Sequence, residues 1–465
     1  MTDVSEGKER AVLLPEVDND LVEDIASLIE SGQRGMVVNL LTDLYPADIA
    51  SMLHHLPTDD ARTLFDWLPK DIAGEVVPEL DDEYRAGLLQ FLPSHRIGEV
   101  LDEMESDDAA DVLADLPREI VEDVLHRLED AEEVQGLLEY EEDTAGGIMG
   151  TDYVAVLESM TVGEATEEVR RNAESVEPIF AVYVVDASRR LLGIVPLKRL
   201  LLSRANAKVS TILESDIISV TPEVDQEEVA RLMERYDLVA IPVVDGERRL
   251  IGRITVDDVI DVIREEAEED IQRMSGVSRE EMTSSVIKMS RGRLIWLLVG
   301  LVGAFLSALV IHSFAGEIEK AVVLAMFIPV VMAMGGNAGI QSSSIAVQGL
   351  ASGDIWATDL LRRLGKELVV ALINGLVLAV AITVMVVAIS YTGFLDNENI
   401  GRLSLTVALA LLTVIIMAGA IGASIPLLLD RFGVDPALAT GPFITTSNDL
   451  LGLIVYFVIA TQLYL

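Results

Sequence analysis

The sequence predicts a multi-domain protein with an α-helical repeat domain, a tandem α/β region and an all-α transmembrane domain of five helices. Three patterns lead to this prediction. Acidic residues precede a long apolar region, Leu-Pro pairs recur at multiples of 12 residues, and two strand-rich segments repeat 59 residues apart. Each pattern has the length or period of one kind of structure. The predicted parts are a tail at 1–20, a helical-repeat domain at 21–143, α/β units at 144–205 and 206–263, a connecting helix at 264–290 and a transmembrane domain at 291–465.

The charge of the chain is divided unevenly. The 465 residues have a formal net charge of -43, yet 51% of them are hydrophobic. Residues 1–293 contain 67 acidic and 28 basic side chains, whereas residues 294–465 contain 10 and 6. The acidic half argues against nucleic acid as a partner, because no basic surface is present to neutralise phosphates. It favours cations or adaptation to high salt, although any one carboxylate can simply belong to a solvated surface.

Five apolar stretches follow residue 293, and each is long enough to cross about 30 Å of hydrocarbon as a helix. They are 294–314, 321–350, 368–392, 403–429 and 437–465. We therefore expect a multi-pass protein of the plasma or inner membrane, in contact with lipid. The acidic N-terminus has no hydrophobic signal segment, and the absence of cysteine excludes disulfides and thiolate metal sites.

Lysine and arginine in the short loops predict the orientation of these spans. Arg291 and Arg293 precede the first span, and Arg362 and Arg363 lie between the second and the third. The alternate loops carry fewer basic residues. The N-terminal half is therefore expected in the cytoplasm and the C-terminus outside.

Two spans contain residues that disfavour a regular helix. The second has Pro329 and then GGNAGIQSSS at 335–344, and the fifth has Gly441 and Pro442. Because broken helices at membrane depth occur where they line a water-filled cavity, both spans are predicted to be interrupted there. The alternative is that the small residues allow close helix packing.

Asp449 is the only acidic residue well inside any of the five predicted spans. A carboxylate in hydrocarbon indicates an ion or proton pathway, with a structural hydrogen bond as the alternative. Asn448 beside it offers a neutral oxygen, and hard oxygen ligands select Mg2+, Ca2+ or Mn2+. One carboxylate balances a divalent ion poorly, so we expect a homodimer whose axis brings two copies of Asp449 together.

The soluble half contains two internal repeats. Leu-Pro pairs at 56–57, 68–69, 92–93 and 116–117 predict short helices that each end before a proline, stacked as a small solenoid. Further along, AVYVVD and LLGIV match VAIPVVD and LIGRIT at the 59-residue spacing. The second of these units ends in GRITVDD at 252–258, and the two look like a pair of CBS domains.

The order of an acidic helical domain, a CBS pair and five spans resembles the MgtE family of Mg2+ channels. GGNAGIQ in the second span and residues 435–457 of the fifth are similar to motifs of that family. The resemblance covers essentially the whole chain. It implies a homodimeric Mg2+-selective channel or transporter for which Mg2+ is both cargo and regulator. The pore residues that it implies are Asp449, Asn448, Gly335, Gly336 and Asn337.

In the family, cytosolic Mg2+ bridges acidic residues of the N-domain to the CBS pair and the connecting helix. The matching positions here are Glu75, Asp107, Asp111, Asp225, Glu227, Asp237, Asp258, Glu266, Glu269 and Asp270. Crowded like charges on one helix repel, and divalent cations would neutralise that repulsion. An ion that binds the closed state better would shift the population towards it. The alternative is an ordinary solvated acidic helix.

The CBS resemblance also implies an adenine nucleotide such as ATP. The first unit reads GIVPLKR at 193–199 and lacks the Thr/Ser-x-x-Asp that binds ribose in such units. The second unit keeps Gly252, Thr255 and Asp258. Asp258 is therefore a candidate for nucleotide as well as for metal.

Two other functions fit the same sequence. One is a secondary carrier of broader selectivity for Mn2+, Co2+ or Ca2+, and the other is a membrane-anchored metal or nucleotide sensor that conducts nothing. An enzyme is not expected, because the five histidines form no H-E-x-x-H motif and no P-loop or G-x-S-x-G occurs.

Overall fold

The structure, a computed structural model, describes residues 19–173, 176, 178–275, 286–352, 360–393, 399–439 and 441–465. The chain divides into two compact units, Met1–Ile263 and Arg264–Leu465. The predicted tail at 1–20 lies almost wholly outside the described residues, and so does the part of the predicted connecting helix at 276–285.

The first unit begins, within the described residues, with ten helices of 7 to 12 residues. They are α1 (Asn19–Glu30), α2 (Arg34–Leu41), α3 (Pro46–His55), α4 (Thr58–Trp67), α5 (Lys70–Val76), α6 (Asp82–Leu89), α7 (Ser94–Leu101), α8 (Ser106–Asp115), α9 (Arg118–Leu125) and α10 (Ala131–Leu137).

The Leu-Pro pairs determine where several of these helices end. Leu56 and Leu116 have extended backbone, because a following proline disfavours the helical conformation, and Pro57 and Pro117 directly precede the next helix. Alternate helices pack on one another, α3 on α5, α5 on α7 and α7 on α9. Their leucines are buried in one continuous core. This arrangement confirms the predicted helical-repeat domain.

Two α/β units follow. The first contains β1 (Ala155–Leu157), α11 (Val162–Arg171), β2 (Ala181–Val185), β3 (Leu191–Pro196) and α12 (Leu197–Leu202). The second contains α13 (Gln226–Tyr236), β4 (Ala240–Val244), β5 (Leu250–Thr255) and α14 (Val256–Met274). β2 pairs with β1 in parallel and with β3 antiparallel, and β4 pairs antiparallel with β5.

The two units repeat in backbone detail as well as in sequence. Each hairpin changes register at the same point, between Val184 and Val185 and between Val243 and Val244. The turns pair across the units, since the amide of Leu191 donates to the carbonyl of Arg248 and the amide of Leu250 donates to the carbonyl of Arg189. The 59-residue duplication predicted from the sequence is confirmed.

The second unit is helical. After the end of α14 it contains α15 (Val286–Ser313), α16 (Ala315–Lys320), α17 (Ile328–Ala351), α18 (Leu360–Ser390), α19 (Ile400–Arg431) and α20 (Gly441–Leu463). Five helical segments of the described residues are long and apolar enough to cross a membrane: Met289–Ser313, Val322–Ala351, Leu361–Ser390, Ile400–Arg431 and Phe443–Leu463. α19 lies at the centre and packs against α17, α18 and α20.

The predicted interruption of the second span is wrong in position. α17 runs unbroken through 335–344, and the irregular part lies before it. Ala321 leaves the helical region, with φ -147° and ψ 77°, and a 3-10 helix at Val322–Phe327 leads into α17. Pro329 lies in the first turn of α17, where a backbone N–H would have no acceptor within the helix, so the absence of this group costs no hydrogen bond.

The fifth span is also uninterrupted over its described length. Gly441 and Pro442 begin α20 instead of breaking it, and a short 3-10 helix at Pro436–Ala439 precedes them. Proline is tolerated in the first turn for the same reason as in α17. The alternative of close helix packing applies to Gly339 of the second span but not to Gly336, where a Cβ would meet nothing within 4 Å.

Glycine brings three of these helices into close contact. A Cβ on Gly339 would lie 1.9 Å from Nδ2 of Asn448 on α20, and a Cβ on Gly422 of α19 would lie 2.4 Å from the carbonyl oxygen of Gly339. Ser342 joins the same helix pair, because its hydroxyl donates to the carbonyl of Gly419 at 2.9 Å. The backbone of α17 is thus in close contact with α19 and with the side chain of Asn448 on α20.

This packing predicts that Gly339→Ala destabilises the membrane unit. The added methyl has no room, so we expect a loss of about 1–3 kcal/mol or more and a smaller fraction of monodisperse protein after detergent extraction. Size-exclusion chromatography and thermal unfolding of the purified chain measure both effects. Gly365→Ala on α18 is the control, because its Cβ meets nothing within 4 Å. Equal behaviour of the two variants would contradict the close packing.

Candidate cation sites

Asp449 lies on α20, within the candidate span Phe443–Leu463. Its side chain is partly exposed in the single chain. It has no hydrogen-bond or ion-pair partner among the described residues. Because an unpaired carboxylate in hydrocarbon is costly, this side chain needs water, a cation or another chain beside it.

Asn448, the neighbour of Asp449, faces a different surface. It is 1% exposed, and both polar atoms of its amide lack a hydrogen-bond partner. The amide packs against Gly339 of α17, within the same chain. Successive residues of a helix point about 100° apart, so the two side chains do not share one direction. A buried amide without hydrogen-bond partners costs free energy. A ligand or a water molecule that formed hydrogen bonds with it would remove this cost.

The three other predicted pore residues lie on α17. Gly335 and Gly336 are buried and Asn337 is exposed. Inside a continuous helix the carbonyl oxygens accept intrahelical hydrogen bonds, so they offer less to an ion than the broken helix predicted from the sequence would. The amide of Asn337 is the group among these three whose oxygen is available outside the helix.

A second membrane carboxylate, Glu367, was missed from the sequence because the predicted third span began at 368. In the structure α18 begins at Leu360, and Glu367 is 9% exposed. Its Oε2 atom lies 3.6 Å from Nη2 of Arg363, one turn earlier. The Arg-Glu spacing of four residues is the signal that indicates such a pair. Glu367 therefore has an internal counter-charge, which Asp449 does not.

The first unit contains a buried acidic interface between the helical domain and the CBS pair. Asp107 on α8 is 7% exposed, and its Oδ1 atom has no hydrogen-bond partner. Its carboxylate lies over Gly150, whose amide donates to the carbonyl of Arg253 on β5 at 2.9 Å. The backbone amide of Ser106 donates to Oδ2 of Asp152 at 2.9 Å and closes the same contact.

Burial shifts the pKa of four carboxyl groups at this interface upward, towards the neutral form. Burial raises the pKa of Asp107 well above its ordinary value, and the charge of Asp258 raises it further. Burial is also the main cause for the neighbouring groups. It raises the pKa to about 7 for Glu105 and Asp108 and to about 6 for Asp258. Asp111, whose pKa is also raised to about 7, is exposed on α8, and the charges that act on it belong to the helical domain. Without a cation these side chains repel one another, which is the situation that bound Mg2+ would relieve.

Within the described residues, no three His, Cys, Asp or Glu side chains are arranged to hold a metal ion. Mg2+ commonly uses one or two carboxylates and keeps several waters. The charge of Asp258 acts on Asp107, so these two carboxylates are the candidates for such a pair.

The other predicted regulatory residues of the first unit are more exposed. Glu75 is exposed on α5. Asp225 caps α13, where its Oδ1 accepts from the amide of Glu227 at 2.9 Å, and Asp237 ends the same helix with φ 51°. Asp225 and Asp237 thus have local structural roles that the sequence pattern did not reveal.

The acidic residues of α14 lie around one arginine. Glu269 and Asp435 both form ion pairs with Arg273. Burial raises the pKa of Asp270 to about 6, and the charges of Asp435 and Glu266 raise it further. The structure therefore groups the three predicted residues of this helix and adds Asp435, which sequence reasoning had placed only within a fifth-span motif.

The predicted nucleotide residues are occupied by internal contacts. The hydroxyl of Thr255 donates to Oδ2 of Asp258 at 2.7 Å, and Thr255 is 3% exposed. Gly252 lies against Met149. A small cleft lies beside them, between the two CBS units, and Phe180, Tyr183, Ala240 and Arg253 are among the residues that line it.

The comparisons with known families agree along the chain. Residues 328–459 match the family described as divalent cation transporter, residues 44–143 match the MgtE intracellular N domain, and residues 145–206 and 209–265 match the CBS domain. The magnesium transporter MgtE of Thermus thermophilus is 34% identical over 455 residues, which are 96% of this chain and 99% of the relative. The MgtE of Bacillus subtilis is 33% identical over 447 residues, 95% and 97% of the two chains, and that of Enterococcus faecalis is 36% identical over 333 residues, 72% of each.

The chain belongs to the MgtE family. This confirms the resemblance given by the motifs. MgtE proteins are membrane transporters, so the expectation that the chain is not an enzyme is confirmed as well. With five apolar helices, this member is a multi-pass membrane protein.

Two solved structures resemble the soluble half of this MgtE chain. One is the cytosolic domain of the Mg2+ channel MgtE in complex with ATP, with a TM-score of 0.50 and 37% identity over 52% of this chain and 99% of that one. The other is the soluble part of a magnesium transporter, with a TM-score of 0.50 and 30% identity over 53% and 98% of the two chains. They confirm the predicted architecture of helical N-domain and CBS pair.

The acidic interface predicts that the soluble half becomes less stable as pH rises. The folded pKa values of Glu105, Asp108 and Asp111 lie above their ordinary values, so the folded state binds more protons than the unfolded state up to about pH 7. Stability should therefore fall as pH rises from about 5 to 7 in chelator, and Mg2+ should offset this loss. Thermal unfolding of a fragment with residues 1–275 measures it, since cytosolic domains of relatives crystallise alone.

Asp107→Asn removes the most buried of these charges without changing its shape. In chelator at about pH 8 we expect it to raise the free energy of unfolding by on the order of 1–3 kcal/mol and to reduce the stabilisation by Mg2+. Glu122→Gln on α9 is the matched control, because Glu122 is exposed. If Asp107→Asn followed the wild-type curve with and without Mg2+, the buried carboxylate would not be the source of the effect.

Proposed function

We propose that this chain is a Mg2+-selective channel or transporter of the cell membrane, gated by cytosolic Mg2+. The observation that carries the proposal is Asp449, a partly exposed carboxylate without a partner on a membrane-spanning helix. The relatives named as magnesium transporters indicate that the ion is Mg2+, because they match along nearly the whole chain. Carboxylate and amide oxygens are ligands of the kind that Mg2+ takes.

The functional unit is a homodimer in this proposal. A single carboxylate leaves a divalent cation with excess charge, and no second unpaired acid is found beside Asp449 in the described part of its own chain. A two-fold axis supplies an equivalent carboxylate without any further residue. Mg2+ sheds water reluctantly, so two copies of Asp449 would hold it through its hydration shell, with Asn337 and the carbonyl oxygens of Gly335 and Gly336 along the same path.

The orientation follows from the basic residues at the ends of the spans. Arg291, Arg293, Arg362 and Arg363 lie at the ends that the proposal assigns to the cytoplasm. The acidic soluble half is then on the same side, where it meets the cytosolic Mg2+ concentration. The C-terminus lies outside.

Gating uses the acidic interface of the soluble half and the end of α14. Carboxylates that are buried together are costly as anions, and a divalent cation removes that cost when the domains are closed. Mg2+ therefore binds the closed arrangement better and shifts the population towards it. At low cytosolic Mg2+ repulsion between residues such as Asp107 and Asp258 would open the interface and release the pore.

An adenine nucleotide is a second ligand that a specific observation favours. A relative of the soluble half is described in complex with ATP. In this chain the cleft between the CBS units combines the aromatic rings of Phe180 and Tyr183 with the guanidinium of Arg253. Rings of this kind stack on a base. The guanidinium of Arg253 is 4% exposed and donates to the carbonyl of Pro178 at 2.7 Å, so it would exchange this partner for a phosphate. ATP would bind in this cleft, close to Gly252 and Thr255.

The experiment is Mg2+ current across inside-out membrane patches at a series of internal Mg2+ concentrations, with wild type and Asp449→Asn. We expect wild type to carry a linear Mg2+ current that decreases as internal Mg2+ rises. Asp449→Asn should carry roughly a tenth of that current or less, because the negative charge within the span is lost. Asp430→Asn is the control, since it removes an exposed acid near the end of α19.

Each other outcome excludes one part of the proposal. Undiminished current in Asp449→Asn would contradict the pore role of this residue. Current that requires a counter-ion gradient would indicate a carrier, and equal currents of Mn2+, Co2+ or Ca2+ would remove the selectivity. Current that is independent of internal Mg2+ would exclude the gating, and absence of any current or uptake in wild type would favour a sensor.

A further inference from the structure

Arg85 on α6 is a cation buried within the acidic helical domain, where it is 7% exposed. Its Nη2 atom donates to Oδ2 of Asp115, at the end of α8, at 2.6 Å and to Oδ1 of Asp82, one turn earlier on α6, at 3.1 Å. Because α6 packs directly on α8, the guanidinium lies at the contact between these two helices. A guanidinium remains protonated at physiological pH, so this positive charge is permanent.

The carboxylates of α8 form a row that begins near the CBS pair and ends at Arg85. Asp108, Asp111 and Asp115 are spaced three and four residues apart, so they share one side of the helix. The row is about 10 Å long, since a helix rises about 1.5 Å per residue. At its beginning, the neighbouring Asp107 is buried over the backbone of Gly150. The helical domain therefore supplies a cation at the end of the row that lies away from this contact.

The charge of Arg85 reaches beyond its two ion-pair partners. Burial raises the pKa of Asp108, the charge of Asp258 raises it further, and the charge of Arg85 lowers it. Burial also raises the pKa of Asp111, and Arg85 again acts in the opposite direction. Asp108 is thus subject both to a carboxylate of the CBS pair and to the guanidinium of α6. Charges in partly buried sites are weakly screened, so Arg85 also acts on any cation that these carboxylates bind.

A fixed cation beside these carboxylates has two effects. It partly neutralises α8, which reduces the repulsion within the helical domain when no divalent ion is bound. It also repels a divalent ion that approaches the same carboxylates, so that ion binds less tightly than it would to the acidic residues alone. The guanidinium and Mg2+ are therefore alternative counter-ions for one group of side chains.

We propose that Arg85 is a resident counter-cation that sets the Mg2+ concentration at which the acidic interface closes. It binds no ion itself, and its role is to weaken the attraction of α8 for Mg2+ by a constant factor. The acidic interface then responds to a higher range of Mg2+ concentration than its carboxylates alone would. This inference rests on the proposed function, since it assumes that cytosolic Mg2+ binds at this interface.

The test is the internal Mg2+ concentration that halves the current, measured on the full chain in inside-out patches. Arg85→Gln should lower this concentration about five-fold, because the permanent positive charge is lost. Asp115→Asn should raise it, because the charge of Arg85 is then balanced by one carboxylate fewer. The double variant keeps the net charge and should return close to wild type, because the two shifts have opposite signs.

A purely structural ion pair predicts a different pattern. Loss of either partner would then loosen the contact of α6 with α8, so both single variants would shift in the same direction and the double variant would not recover. Arg85→Lys keeps the charge and should stay near wild type. Arg127→Gln is the matched control, since it removes the cation of an exposed Arg-Asp pair on α9 and should leave the half-inhibiting concentration unchanged.

Three results would overturn the role of Arg85. They are a raised or unchanged half-inhibiting concentration in Arg85→Gln, a lowered or unchanged one in Asp115→Asn, and a double variant that differs from wild type as much as a single one. If Arg85→Gln does not fold, Asp115→Asn and the charge-balanced double variant still decide the question.

A second measurement follows the interface without any current. The side-chain oxygens of Ser106 on α8 and Thr151 lie 2.8 Å apart, and the chain contains no cysteine. Disulfide yield in the full chain with Ser106→Cys and Thr151→Cys therefore reports closure of the interface. The yield should rise with Mg2+, and adding Arg85→Gln should move the midpoint to about five-fold less Mg2+. If Mg2+ changes neither current nor yield without Arg85→Gln, the proposed gating fails. If Mg2+ acts but Arg85→Gln does not lower the midpoint, the role of Arg85 alone fails.

Discussion

A carboxylate on a membrane-spanning helix is the constraint on which the arrangement of this protein depends. Asp449 has no counter-charge among the described residues, unlike Glu367, whose neighbour Arg363 supplies one. In hydrocarbon such a group must be met by water, a cation or a second chain. The close contacts of α17 with α19 and α20, through Gly339 and Gly422, keep α20 in a fixed place while the Asp449 side chain remains partly exposed.

The same electrostatic cost appears in the soluble half, where several carboxylates are buried close together and Arg253 lies 3.8 Å from one of them, Glu105. Asp107 lies at the contact between the helical domain and the CBS pair, and burial raises its pKa and that of Asp258. Both halves therefore contain negative oxygens that a divalent ion would stabilise. In the proposed function that ion is cargo in the membrane and a regulator at the interface, where it prefers one arrangement of the domains. The connecting helix α14 carries acidic residues that fit the second role.

The sequence was sufficient for features that depend on period and length. The Leu-Pro spacing predicted the short helices because proline restricts the preceding residue, and the 59-residue repeat predicted two similar hairpins. It was insufficient where the outcome depends on tertiary contact. Gly335 and Gly336 suggested a broken helix, but α17 is continuous through both residues. Glu367 was missed because the predicted third span began at residue 368, where the apolar stretch starts. In the structure the span begins earlier and includes Glu367, whose charge is paired with Arg363 one turn away. No pattern in the sequence indicates that Asn448 is buried against Gly339.

The most direct measurement is chemical cross-linking of an Asp449→Cys variant in native membranes. The chain contains no cysteine, so any covalent dimer must join the two introduced thiols. The account predicts that a short bifunctional maleimide produces a dimer, and that Val380→Cys, on an exposed part of α18, produces much less. If the introduced thiol at 449 reacts with a monofunctional maleimide but gives no dimer, two copies of this carboxylate do not face each other across an axis, and the shared pathway is contradicted.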